Sequence, residues 1–290
     1  MFFLTCLILI ACNQDKNPLP QTLSPQQVVQ LPQEMLEISG MISNNINTIY
    51  VHNDSGNPPT IYEISLSEQK VLRTIQISNA ENLDWEEIAT DEDFIYVGDF
   101  GNNLGTRDNL VIYKVDKNKV ATQDSVEAEI ISFHYPEQTD FSPSNHHNFD
   151  CEAMLTFDDE LFLFTKNRKD QQTQWYSLPK EVGEYPAELQ GSFDTDGLIT
   201  AATFAESNDV IALLGYVDST SVYQPFLWLF YDFEDNIFDG KNTRLEIELE
   251  EQLEAISFQA DYNLIFAGED ETGTSPKWIY QIDVEDYLKR

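Results

Sequence analysis

The sequence predicts an all-β fold: a five-bladed β-propeller closed by an N-terminal strand in its last blade. Three observations lead there. An aromatic residue directly after a large apolar one recurs in a short strand at 61–64, 112–115, 175–178, 229–231 and 279–282. Each of these strands lies 23 to 30 residues beyond a segment opening on Ser39, Glu86, Glu152, Thr200 or Glu254. The last unit stops too early for a fourth strand, while a spare apolar stretch at 27–31 precedes the first unit.

Each unit follows one order. A strand starts at the Ser, Thr or Glu position, and a second occupies 48–51, 94–97, 161–164, 210–214 or 264–267. The aromatic strand is third. A fourth follows in the first four units, at 71–77, 129–134, 188–193 and 244–249. Runs of β-branched and aromatic residues between turn residues read as strands, and repetition at this period reads as blades. Placing residues 27–31 at the edge of the fifth sheet closes the ring and hides an edge that would otherwise template aggregation. The long separation between Glu86 and Glu152 leaves a six-bladed alternative, with one degenerate blade in that gap.

Composition fits a packed single domain. Of 290 residues, 41% are hydrophobic and 12% aromatic, enough apolar mass for a buried interior. The 51 acidic against 16 basic residues give a net charge of −35, which repels phosphate backbones and anionic lipid. Nucleic acid is therefore excluded as a partner, and any membrane contact has to come through an anchor.

Such an anchor is expected at the N-terminus. Residues 2–10 are almost wholly apolar, too short to span a bilayer, and run into Leu9-Ile10-Ala11-Cys12. That tetrapeptide resembles the lipobox of bacterial lipoproteins, which implies a signal peptide over 1–11 and acylation of Cys12, with palmitate or similar chains, as the new N-terminus. A plain secretion signal or a mis-started chain stays open, because no Lys or Arg precedes the apolar run. Residues 12–25 then read as a tether and 26–290 as the propeller. Asn13 lacks the aspartate associated with inner-membrane retention, so an outer-membrane lipoprotein, periplasmic or surface-exposed, is expected. With Cys6 removed and Cys12 lipidated, Cys151 is left without a disulfide partner and reads as a small buried residue.

Topology locates the chemistry. First strands line the tunnel, so Ser39, Glu86, Glu152, Thr200 and Glu254 are expected to form a ring of oxygen donors. Three carboxylates drawn together raise one another's pKa or take up a cation. Calcium, with flexible oxygen-rich coordination, suits such a ring better than magnesium, and one ion on the axis is expected. A water-filled tunnel with partly protonated glutamates, or carboxylates capping strand amides, is the competing reading.

The turns after the second strands open on the same face. They place His52, Asp54, Asp99, Asn102, Asn103, Arg107, His146, His147, Lys166, Arg168 and Glu269 at the mouth as candidate ligand-binding residues. For any one loop, Asn, Asp and Gly are explained by turn chemistry. The set, with scarce cations and histidines beside carboxylates, suits a small polar ligand or a surface protein bound by a monomer.

Two family resemblances bear on these residues. The boxes at 52–56, 84–89, 96–103 with Arg107, and 150–153 resemble those of secreted bacterial propellers, mostly uncharacterised, and the SdiA-regulated family is similar. This likeness spans residues 31–283 and implies a fold more than an activity. The order Ser39, Glu86, Glu152, Thr200, Glu254 is similar to the tunnel ring of calcium-dependent apyrases, with Thr at a Ser position. That resemblance implies an alternative function, calcium-dependent hydrolysis of a nucleotide or phosphoester. Lys166, Arg168 or Arg107 would then steady the anion, and a carboxylate or His52 would activate water. No starting motif of the five-bladed glycosidases is present. The function expected first is a calcium-stabilised, membrane-anchored binding protein.

Overall fold

The computed structural model describes residues 21–35, 37–219, 222–269 and 277–288. It contains five small sheets, each with four antiparallel strands, arranged as a five-bladed β-propeller. Blade 1 runs through Ile38–Asn45, Thr48–Asn53, Thr60–Ser65 and Lys70–Ile77, and blade 2 through Trp85–Thr90, Phe94–Asp99, Leu110–Asp116 and Glu129–His134. Blade 3 takes Cys151–Phe157, Glu160–Thr165, Gln172–Pro179 and Glu188–Asp194. Blade 4 takes Leu198–Ala205, Val210–Ser219, Val222–Tyr231 and Lys241–Ile247. Blade 5 has Leu253–Ala260, Asn263–Gly268 and Trp278–Asp283, and its fourth strand is the N-terminal Gln26–Gln30, antiparallel to Trp278–Asp283. First strands contact one another in ring order, blade 5 meeting blade 1.

The apolar residues explain the stacking. Five buried clusters fill the five spaces between neighbouring blades, so each sheet is covered on both faces. That is why strands such as Glu160–Thr165 read as continuous apolar runs rather than as alternation. Cys151 is a buried free thiol in the layer between blades 2 and 3, and burial pushes its pKa up.

Short parallel strands lie on the outer edges. Ser125–Val126 pairs with the fourth strand of blade 1, Gly183–Pro186 with that of blade 2, and Gln21–Leu23 with that of blade 4. Each immediately precedes the fourth strand of the next blade, so the chain straps one blade before entering the following one. The gap between Glu86 and Glu152 thus holds the helix Lys117–Thr122, capped by the Asp116 side chain, then a strap and a loop over 135–150. It holds no sixth blade.

The tether expected over 12–25 is shorter than that at its C-terminal end. Gln21–Leu23 is a strand, with Leu23 fully buried against blade 4. An apolar side chain that fills an inter-blade gap outweighs the polar, proline-rich composition around it. Cys12 and the segment 1–20 lie outside the described residues. Among the described residues, no helix is long and apolar enough to cross a membrane.

Candidate functional site

Each first strand begins on the face where each second strand ends, the upper face of the propeller. The five ring positions are structurally equivalent, because each is the extra residue of a β-bulge. Pairing with the second strand skips Ser39 between Ile38 and Gly40, Glu86 between Trp85 and Glu87, and Glu152 between Cys151 and Ala153. It likewise skips Thr200 and Glu254. A bulge re-aims the side chain it carries, and all five are buried.

Their partners differ from the expected ring of ligands. Ser39 Oγ donates to the Glu86 carbonyl at 2.9 Å and Thr200 Oγ1 to the Leu253 carbonyl at 2.7 Å, so both hydroxyls clasp a neighbouring blade. Between Glu152 and Glu254 lies the Lys166 ammonium, 3.0 Å from Glu152 Oε2 and 3.7 Å from Glu254 Oε1. Burial alone would lower the Lys166 pKa, but Glu152, Tyr216 and Glu254 hold it well above its usual range. The positive charge expected between these two glutamates is supplied by the protein itself.

Glu86 belongs to a different group. Ligand oxygens of Asp54, Asp84 and Glu86 all lie within 4.8 Å of one another. Asn82 Nδ2 binds the carbonyls of Asn53 and Asp54 at 3.1 and 2.8 Å and so fixes the Asp54 turn against the Asp84 segment. The Asp84 amide donates to Asp99 Oδ1 at 3.1 Å. Asp99 is held by Arg107 at 2.8 Å, and Arg107 Nη1 also donates to the Gly101 carbonyl at 2.8 Å. Gly101 faces the group directly: a Cβ there would lie 2.1 Å from Glu86 Oε1 and 2.5 Å from Asp84 Oδ2. Among the described residues, no ion pair reaches Asp54, Asp84 or Glu86. Burial first, then the neighbouring carboxylates, pushes Asp54 up to about 7, Asp84 to about 6 and Glu86 well above the ordinary range.

The opposite wall carries the compensating charge. Arg168 lies 3.2 Å from Asp150 Oδ2 and 3.8 Å from Glu152 Oε1, and it also donates to Asn103 Oδ1. Asp150 Oδ1 accepts from the Asn102 amide at 2.7 Å, and burial with the nearby Glu152 charge raises its carboxyl to about 8. Gln252 Nε2 bridges Glu254 Oε1, at 2.6 Å, and Glu269. Among the described residues the mouth therefore gathers Asp54, Asp84, Glu86, Asp150, Glu152, Glu254 and Glu269 against three cations, Lys166, Arg168 and Lys277, the last donating to the Glu269 carbonyl.

Several expected mouth residues serve elsewhere. His52 is wholly buried, packed edge-on to Trp85 at 5.5 Å between ring centroids, and desolvation lowers its pKa to about 4. It is neutral near pH 7 and no general base at the surface. Asp99, Arg107 and Asn102 lie behind the mouth and shape the Gly101 turn. His147 Nε2 meets the Asn103 carbonyl at 3.3 Å while its Nδ1 accepts from the Phe149 amide at 3.1 Å. With the exposed His146 it lines a separate cavity of about 360 Å³ under the 135–150 loop.

Sequence reasoning missed Asp84, Asp150 and Glu87. The first two each stand two residues before a ring glutamate, so the signal that could have found them is a repeated Asp-x-Glu at 84–86 and 150–152. Glu87 is fully buried on the axis. Its Oε2 accepts from the Ala202 amide of blade 4 at 2.9 Å and its Oε1 from Ile88 at 3.0 Å. Below it, first-strand residues of all five blades line a cavity of about 110 Å³.

These raised carboxyls fix the sign of a pH effect in chelator. A carboxyl whose folded pKa lies above its unfolded value stabilises the fold at low pH, and that contribution is lost as pH rises through the folded value. For Asp84, Asp54 and Asp150 the loss begins near the ordinary value of 3.8 and is complete at about 6, about 7 and about 8 respectively. The chelated protein is expected to melt at a lower temperature at pH 8.5 than at pH 5.5, and Asp84→Asn to flatten that slope. A melting temperature that climbs over this range would show that these carboxyls are not raised by burial and mutual repulsion.

No protein-family model matches the chain, and no curated protein matches it. The resemblances to secreted bacterial propellers and to apyrases therefore gain no support from these comparisons. Solved structures with a similar shape include the β-propeller domain of Myceliophteria thermophila Cps50 (Swd1). It is 10% identical, with a TM-score of 0.46, and the match covers 89% of this chain and 99% of that one. A chain of a mitotic checkpoint complex is 12% identical with a TM-score of 0.42, covering 95% of this chain and 98% of that one. Likeness at this level carries no argument about function.

Proposed function

We propose that this propeller is a binding protein whose upper mouth takes up one calcium ion at Asp54, Asp84 and Glu86 and presents it to a polar ligand or partner. The observation that carries the reading is the Gly101 cradle, where two converging carboxylates occupy the space that any side chain would fill. Oxygens no more than 4.8 Å apart can share one ion, since calcium–oxygen distances are about 2.4 Å. Water and ligand oxygens would complete a coordination number of about six to eight. This donor set replaces the ring of five, in which Ser39, Thr200, Glu152 and Glu254 have other partners. The hydrolytic alternative asks Lys166, Arg168 or Arg107 to steady an anion. Each is already engaged by carboxylates or carbonyls, so binding is the reading put forward. The proposal keeps the lipid anchor at Cys12 and with it an extracytoplasmic location at the outer membrane.

Calorimetric titration of purified protein with calcium at pH 8 tests the site. Glu86→Gln and Asp84→Asn are expected to weaken binding at least about tenfold, with Gly101→Ala similar, because each removes or displaces a ligand oxygen. At about one hundred times Kd the ion adds roughly 2.7 kcal/mol. At about 2–4 °C per kcal/mol for a chain of this size, chelation should lower Tm by roughly 5–10 °C. No heat and no change in Tm at millimolar calcium would overturn the proposal. Loss of acyl labelling in Cys12→Ser tests the anchor separately.

A further inference from the structure

We infer that the upper face over blade 2 docks a protein segment in which a lysine or arginine is flanked by apolar side chains. The inference rests on the binding reading of the mouth but not on calcium occupying it. Its first support is charge. Among the described residues the carboxylates of the mouth outnumber its cations, and Lys166 and Arg168 are already ion-paired, so the mouth stays acidic. Such a field attracts a cationic group and disfavours an anionic ligand.

The second support is independent of charge. Leu83 and Leu104 are 48% and 54% exposed, and Phe141 is 42% exposed. Leu83 directly precedes Asp84 of the carboxylate trio, and Leu104 follows Gly101 by three residues. The Ser144 amide donates to the Leu104 carbonyl at 2.9 Å, which brings the loop of Phe141 against Leu104. Large apolar side chains exposed beside a charged mouth lose water only when something apolar covers them. A free metal ion or a small amine would use the carboxylates and leave the leucines bare. A segment with a basic residue between apolar neighbours uses both.

The test measures binding of labelled short peptides to the full chain by fluorescence anisotropy at physiological ionic strength, with and without calcium. One peptide alternates arginine and leucine, the second has serine for leucine, and the third glutamate for arginine. The arginine–leucine peptide is expected to bind at least about tenfold tighter than either control, a margin typical of a few well-placed anchors. The double variant Leu83→Ser with Leu104→Ser should erase that advantage. Leu72→Ser with Leu189→Ser, on outer strands of blades 1 and 3, should leave it intact. Equal binding of the serine peptide, or equal loss in the lateral variant, would mean general adsorption to an acidic surface and would overturn the inference. Peptide binding that persists in a protein showing no calcium heat would sink the calcium site alone.

Discussion

Lys166→Met is expected to destabilise the protein by about 3–5 kcal/mol at pH 8, the range for removing one partner of a buried ion pair. Side-chain exposures of 4% for Lys166, 3% for Glu152 and 6% for Glu254 leave little water to take over. The methionine restores packing against Tyr216, whose ring lies 5.4 Å from the ammonium, but not the charge. Burial already raises the Glu254 carboxyl, so protonating it offsets part of the loss, which should therefore be smaller at pH 5 than at pH 8. Adding Glu152→Gln to Lys166→Met should recover part of the loss, since the second change removes a buried charge that Arg168, 3.8 Å away, balances only in part. Chemical denaturation of the three proteins measures this. A loss under about 1 kcal/mol for the single variant would show that the pair is not buried as described.

Glu87→Ala is expected to cost about as much for a different reason. It strands the amides of Ala202 and Ile88 in a fully buried place, at about 1–3 kcal/mol each. It also merges the vacated volume with the cavity beneath. Burial pushes the Glu87 carboxyl well up, while the amides of Ala202, Ile88 and Met154 favour its ionised form. Glu87→Gln keeps an acceptor oxygen and should lose about half as much or less. Hydrogen exchange provides the site-specific readout: the Ala202 amide should lose protection in Glu87→Ala and keep most of it in Glu87→Gln. Unchanged protection in both would remove Glu87 from the axis.

Much of the fold was legible in the sequence because a propeller repeats its pattern in register. The aromatic strand fixed the third position of each unit, and the ring residues proved equivalent down to the bulge that each occupies. The straps were not legible. Ser125–Val126 and Gly183–Pro186 are too short to show a period, and Gln21–Leu23 lies in a polar, proline-rich context. Each is a strand only because the outer edge of another blade is within reach.

The site divides the same way. Repetition alone brought Glu86, Glu152 and Glu254 to one axis, and turn positions brought Asp54 and Lys166 beside them. Strict alternation along a strand would turn Glu87 away from the tunnel if Glu86 faced it. The bulge at Glu86 breaks that alternation, so adjacent carboxylates reach the mouth and the axis below it.

By itself the sequence determined repeating blades, five with a sixth left open between Glu86 and Glu152, their closure by an N-terminal strand, and an acidic mouth at one end of the tunnel. These follow from hydrophobic spacing and residue type, which act locally or by repetition. Only the tertiary structure decided which carboxylate meets which cation. Lys166 takes Glu152 and Glu254, Arg168 takes Asp150, and Arg107 is drawn back to Asp99, leaving Asp54, Asp84 and Glu86 together around a glycine. Those pairings depend on side chains from different blades meeting within about 4 Å, a distance that spacing along the chain does not encode.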